Sequence, residues 1–162
     1  MDELLSLLQE EMKLYRELVI ILKRERRDIV DLSLDKLYES IKEKETCILK
    51  LRILEERGSI LLKAVFRKLN FSQENATISD LIGQVEEPYF SDLNICHSNL
   101  KKLANSISGI NQENGRFIEH SLACTNSSLS LLNYLNSPNP TYLPSGQVKN
   151  GDKNIGAISK EI

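Results

Sequence analysis

The sequence predicts an all-α fold. An antiparallel hairpin of two long helices carries a longer third helix, giving an elongated three-helix bundle or coiled coil, and a flexible C-terminal tail follows. Three observations lead there. Leu93, Cys96, Leu100, Leu103, Ile107, Ile110, Asn114, Phe117, Ser121, Cys124, Ser128, Leu131 and Leu135 recur at steps of three and four residues. That is the repeat of a helix that keeps one seam against partner helices. Two earlier stretches with similar periodicity are separated only by Asp31-Leu32-Ser33, and so short a break usually sets neighbouring helices antiparallel. After Asn136, Pro and Gly replace the apolar repeat. The expected organisation is a helical body over residues 1–136, with helices at about 2–30, 34–69 and 88–136 and a connector at 70–87, then a tail over 137–162.

The first helix opens on Asp2 and Glu3, acidic residues at the positive end of its dipole. Leu5, Leu8, Met12, Tyr15, Val19, Leu22 and Ile29 form its seam, widened by Leu4, Leu14, Leu18 and Ile21. The seam lapses at Arg26, inside a cluster of Lys23, Arg24, Arg26 and Arg27. Such a cluster either binds an anionic partner or, more simply, is a solvated helix end favoured by the dipole. Ser33 is placed to cap the second helix through its hydroxyl. The second seam runs Leu34, Leu37, Ile41, Lys44, Ile48, Leu51, Glu55, Gly58, Leu62, Val65, Leu69. Lys44 and Glu55 on it either pair or carry their charged heads to the edge. Gly58 marks a close helix approach. In the connector, Thr77 to Ile82 suits one or two helical turns that fold an apolar pair over the end of the bundle. Pro88 suits the first turn of the third helix, because its missing N–H is an orphan there anyway.

Length then separates the two halves of the last helix. At about 1.5 Å per residue it reaches roughly 70 Å against roughly 54 Å for the second helix. Running back antiparallel, it outruns the hairpin by roughly ten residues, about 15 Å. The overhang starts near Cys124 or Thr125 and carries Leu129, Leu131, Leu132, Tyr134 and Leu135. Exposed apolar patches of this kind mark interaction surfaces, and an amphipathic helix offers its stripe to a partner helix or groove. The competing reading is a kink near Gly109 or Gly115 that folds the overhang back, or burial between copies. Asn114 in the seam has two roles open to it. An amide in a coiled-coil core fixes register. Alternatively Asn111, Asn114 and Ser121 accept polar contacts from an incoming chain, with Gly115 letting it approach the backbone.

Composition narrows the function. Net charge is −2, which leaves no electrostatic footprint for nucleic acid. The three cysteines are widely spaced and odd in number, as expected of reduced thiols in a cytoplasmic protein. The start lacks a basic n-region and apolar run, and the longest uninterrupted apolar run, Leu18 to Leu22, is too short to span a bilayer, so no membrane insertion is expected. His97 and His120 stand alone, with no metal-ligand spacing, and no phosphate loop or nucleophile–base set occurs. The expectation is a non-enzymatic protein without metal or cofactor.

At Asn111-x-x-Asn114-Gly115, followed by Phe117-Ile118-Glu119 and then Asn126 and Leu129, the sequence resembles the FlgN family of flagellar type III export chaperones. A second match is Pro140-Thr141-Tyr142 followed by Gly146-Gln147. The opening is similar too, a Leu- and Glu-rich helix before a Lys-Glu-rich one. The chain departs from the family at Cys124, Thr125, Ser127 and Ser128, where charged residues or Gln are common. The resemblance implies a chaperone for hook-associated proteins of the hook–filament junction. It would hold their C-terminal helical segment on the last helix and deliver them to the membrane export gate. By the resemblance and the overhang together, Asn111, Asn114, Phe117, Ile118, Ser121, Leu129, Leu132 and Leu135 are the substrate-protein candidates, and Tyr142 the gate-docking candidate. A monomer or weak homodimer is expected. The rival reading is a self-associating coiled-coil scaffold without an export role.

Overall fold

The structure, a computed structural model, describes residues 1–69 and 77–136, with only the backbone of 141–142 and 148–149 beyond them. The elements are helices α1 (Asp2–Val30), α2 (Leu34–Lys68), α3 (Ile78–Ile82) and α4 (Tyr89–Asn136), and two short strands, β1 (Thr141–Tyr142) and β2 (Val148–Lys149). The fold is all-α, as the periodicity requires. The chain divides into two units, Met1–Glu119 and His120–Ile162.

In the first unit two apolar clusters order the helices. The first joins Leu4, Leu5, Leu8 and Met12 of α1 to Phe66 of α2, Leu81 of α3, and Leu93 and Cys96 of α4. The second joins Leu18, Ile21 and Leu22 to Cys47 and Leu51, with Ile107 and Ile110 of α4 against it. From the first cluster to the second, residue numbers rise along α1 and α4 and fall along α2. Hence α2 is antiparallel to both. Each fully buried Leu contributes about 1.5–3 kcal/mol of transfer free energy, so these clusters hold the three rods together. Gly58 lies where α1 comes close, since a Cβ there would sit 3.3 Å from Leu7 Cδ2.

The α1–α2 turn is closed by its backbone rather than by a side chain. Ser33 N–H donates to Asp28 O at 3.0 Å and Leu32 N–H to Ile29 O at 3.2 Å, with Leu32 left-handed at φ 53°. This is a Schellman closure with leucine where glycine is usual. Ser33 occupies the N-cap position of α2, but its hydroxyl makes no cap bond, contrary to expectation; the turn leaves its φ and ψ at −91° and 89°. The core stripe of α2 is also displaced from the expected seam. Ser40, Cys47, Leu51, Leu54 and Phe66 are buried, whereas Leu34, Glu55 and Leu69 are exposed. The buried column is the one that meets α1, where Ser40 bonds to Asp28 and Cys47 to Leu14 O.

The connector's apolar pair behaves as expected. Thr77 and Asp80 form a reciprocal capping box at α3, with Thr77 N–H donating to Asp80 Oδ2 at 2.8 Å and Asp80 N–H to Thr77 Oγ1 at 3.3 Å. The bonds from Thr77 hold the Asp80 carboxyl below its ordinary value. The box aims Leu81 and Ile82 at the first cluster, where Leu81 is wholly buried. The Glu87–Pro88 peptide is cis, and α4 starts one residue later than expected, at Tyr89.

In the second unit, α4 runs from His120 to Asn136, and every side chain from Leu122 to Leu135 is exposed. Beyond it β1 and β2 pair antiparallel, Thr141 opposite Lys149 and Tyr142 opposite Val148. The rest of the expected tail, like residues 70–76 of the connector, lies outside the described residues.

Candidate functional site

The candidate residues fall into three groups, set apart by what lies under them. The first is a buried polar layer at the upper end of the hairpin. Asn114 is 2% exposed. Its amide donates to Leu22 O at 2.9 Å and to Glu25 Oε2 at 3.2 Å, and its carbonyl accepts from Arg26 Nε at 3.2 Å. Glu25 is itself buried and pairs with Lys44 of α2. One turn on, Ser40 donates to buried Asp28 at 2.6 Å and accepts from Arg24 Nε at 3.2 Å, while Arg24 pairs with Glu43. Of the two roles open to Asn114, the structure places it in the register-fixing one. It does not lie on the surface beside Asn111, because the core seam still has hairpin beneath it at this level. The basic cluster is corrected too. Arg24 and Arg26 are drawn onto α2 and α4, not left as a solvated helix end. Lys44 finds Glu25 rather than Glu55, and Glu55 accepts instead from the Tyr15 hydroxyl at 3.2 Å. Burial first, then the charges of Glu55 and Glu11, push the Tyr15 hydroxyl up to about 12. No buried side-chain polar atom among the described residues lacks a partner, the condition under which such a layer specifies one register.

The second group stands on α4 just outside that layer. Asn111, Phe117 and Ile118 are exposed, and Gly115 has nothing within 4 Å of where a Cβ would be. Arg26 reaches three α4 residues: it pairs with Glu113, donates to Asn114, and lies 5.9 Å from the centroid of the Phe117 ring. Arg26 thus links α1 to this stretch of α4.

The third group lies wholly in the second unit. Leu129, Leu132 and Leu135 are 43%, 54% and 67% exposed, and Leu122 and Leu131 belong with them at 60% and 58%. At 100° per residue, Ser121, Leu122, Cys124, Thr125, Ser128, Leu129, Leu131, Leu132 and Leu135 share one half of the helix. Two hydroxyls on this half are turned back to their own helix: Thr125 donates to Ser121 O and Ser128 to Cys124 O, each at 2.9 Å. The face shows methyls more than donors. Leu122 and Thr125 were missed by following the seam through Cys124 and Ser128. Their signal was available as the next residue along that seam, at steps of three and four through Leu129 and Leu132. Tyr142 is placed only by its backbone, opposite Val148.

A family model described as FlgN protein matches residues 1–150. The chain belongs to the FlgN family. Membership gives it the general role of a flagellar export chaperone, and the match takes in every residue of the three groups. No curated protein and no solved structure matches the chain. Among the described residues, no helix of this FlgN protein is long and apolar enough to cross a membrane, and no group of three His, Cys, Asp or Glu is placed to hold a metal ion. Burial raises the thiols of Cys47 and Cys96 above their ordinary value. An un-ionised buried thiol packs as a small apolar side chain.

Proposed function

We propose that this protein is a cytoplasmic chaperone that holds the C-terminal helical segment of hook-associated proteins, prevents their premature association, and delivers them to the type III export gate. The observation that carries this reading is the unburied leucine face of the second unit, Leu122, Leu129, Leu131, Leu132 and Leu135, in a family of flagellar export chaperones. A lone chain has a reason to leave five leucines in water when a partner covers them part of the time. A client segment that folds onto this face spends part of its contact energy on ordering. The complex therefore shields the client's own apolar stripe and still releases it.

In this reading Ser121, Leu122, Leu129, Leu132 and Leu135 touch the client. Asn111, Phe117 and Ile118 offer it a second exposed patch on the first unit. Asn114 acts from beneath, through the layer that fixes α4 on the hairpin. The body of the chaperone extends through Asn136, and the segment beyond it, with Tyr142, docks at the gate. The protein works as a monomer or weak homodimer. The test is capture of each hook-associated protein by the full chain and by a variant carrying Leu129→Ser, Leu132→Ser and Leu135→Ser. Because these side chains are exposed, the variant keeps its fold by circular dichroism. Capture is expected to fall at least about tenfold, the effect of losing several apolar anchors at once. Undiminished capture removes the face from the mechanism.

A further inference from the structure

From His120 to Asn136 the helix carries no Asp, Glu, Lys or Arg, and the sequence meets its next charge only at Lys149. An exposed helix normally keeps charges on its wet face. The first unit does, and it uses them. Arg24–Glu43, Arg26–Glu113 and Lys44–Glu25 bind its helices to one another. Residues 120–136 carry no charge that could pair with a partner in this way. Their hydroxyls at Thr125, Ser128 and Ser130 are bonded to carbonyls of their own helix.

We propose that the face formed by Leu122, Thr125, Leu129 and Leu132 takes a client helix whose contacting side is itself uncharged, and that it selects for this by offering no counter-charge. This rests on the chaperone reading above and names the chemistry of its client. A Lys or Glu on the client's contacting side would lose water against Leu129 and Leu132 and find no opposite charge there. An unpaired charge shut away from water is strongly unfavourable. An aliphatic side chain at the same place loses nothing, and a hydroxyl avoids the loss by donating to a carbonyl of its own helix. Discrimination therefore comes from what the face lacks. Two consequences follow from the physics. Affinity at this face does not fall as salt screens charges, since the face itself carries none. A charge of either sign placed on the face weakens binding.

The experiment titrates labelled peptides of the C-terminal helical segments of hook-associated proteins with the full chain, by fluorescence anisotropy at low and high sodium chloride. The expected Kd changes less than about twofold between roughly 50 and 500 mM salt. Thr125→Lys and Thr125→Glu are then compared at one salt concentration, with Ser130→Lys on the opposite side of the helix as control. Both Thr125 variants are expected to weaken binding about tenfold, the cost of an unpaired charge at a largely dehydrated contact, while the control binds as the parent chain does. A tenfold loss of affinity at high salt overturns the proposal, as does tighter binding by one sign of charge at position 125. Either result would leave the chaperone reading intact. If no hook-associated segment binds at either salt concentration, the chaperone reading itself falls, and this inference with it.

Discussion

The two halves of α4 share one periodicity and keep different company. From Leu93 to Asn114 the seam lies over two apolar clusters and ends in a layer of paired charges and a buried amide. From Leu122 to Leu135 the same spacing continues in full exposure and without a charge. The contrast teaches that a heptad pattern declares which face will be covered, and leaves open by what. Within the chain the cover is the hairpin. On residues 122–135 of α4 the same spacing is left exposed.

The sharpest way to break this comparison is to make one substitution in both halves. Leu93 is fully buried and Leu132 is 54% exposed. Leu93→Ala should lose about 3 kcal/mol of unfolding free energy, from transfer and the cavity together. Leu132→Ala should stay within about 0.5 kcal/mol, as surface changes do. Urea denaturation measures both. Equal losses would mean that the distal face is covered within the lone chain.

The next comparison tests the polar layer against its neighbour on the seam. Asn114→Ala strips partners from Leu22 O, Glu25 and Arg26 in a buried site, and should cost about 2 kcal/mol. Ser121→Ala, two steps further along the seam and half-buried, should cost less than about 0.5 kcal/mol. If the two lose the same amount, the layer is not what fixes α4.

These pairs also mark what was legible from sequence. Helix ends at Val30, Leu34 and Asn136 fell where the Asp-Leu-Ser break and the Pro-Asn-Pro stop put them, because caps and breakers act locally. The apolar pair Leu81 and Ile82 was legible for the same reason. The partners of Arg24, Arg26 and Lys44 were not. Each lies 16 to 88 residues away in sequence, and which of several carboxylates a cation meets depends on the register of two helices, which no single helix encodes. The candidate site was half legible. Helix length marked Leu129, Leu132 and Leu135 as uncovered, and they are exposed; periodicity put Asn114 on the seam and Asn111 off it, but could not say whether that seam position meets the hairpin or another chain.

A smaller effect comes from the two glycines of α4. Neither Gly109 nor Gly115 has anything within 4 Å of a would-be Cβ. Alanine at either should therefore stabilise the helix by about 1 kcal/mol. Thermal melts should show both gains. If a client approaches the backbone at Gly115, only Gly115→Ala should also weaken its binding, and loss of binding by both variants would point to a general effect of stiffening α4.

The smallest expected effect follows from where the charges are. Burial first, and then the neighbouring charge of Glu55, raise the Glu11 carboxyl above its ordinary value of 4.5. A carboxyl raised on folding binds its proton more tightly in the folded chain. Its favourable contribution is thus complete below the ordinary value and is lost as pH climbs through the raised one. At neutral pH Glu11 is a burden on the α1–α2 packing. Glu11→Gln should relieve it by roughly 0.5 kcal/mol, kept small because the side chain is partly exposed and solvent screens it. The gain should vanish below about pH 4, where the parent carboxyl is protonated in both states. Urea midpoints for the two chains at pH 7 and pH 4 decide it. A gain that persists at pH 4 would show that packing, not charge, is what the glutamine improves. Residues 120–136 of α4 contain no Asp or Glu, so this stretch supplies no comparable carboxylate.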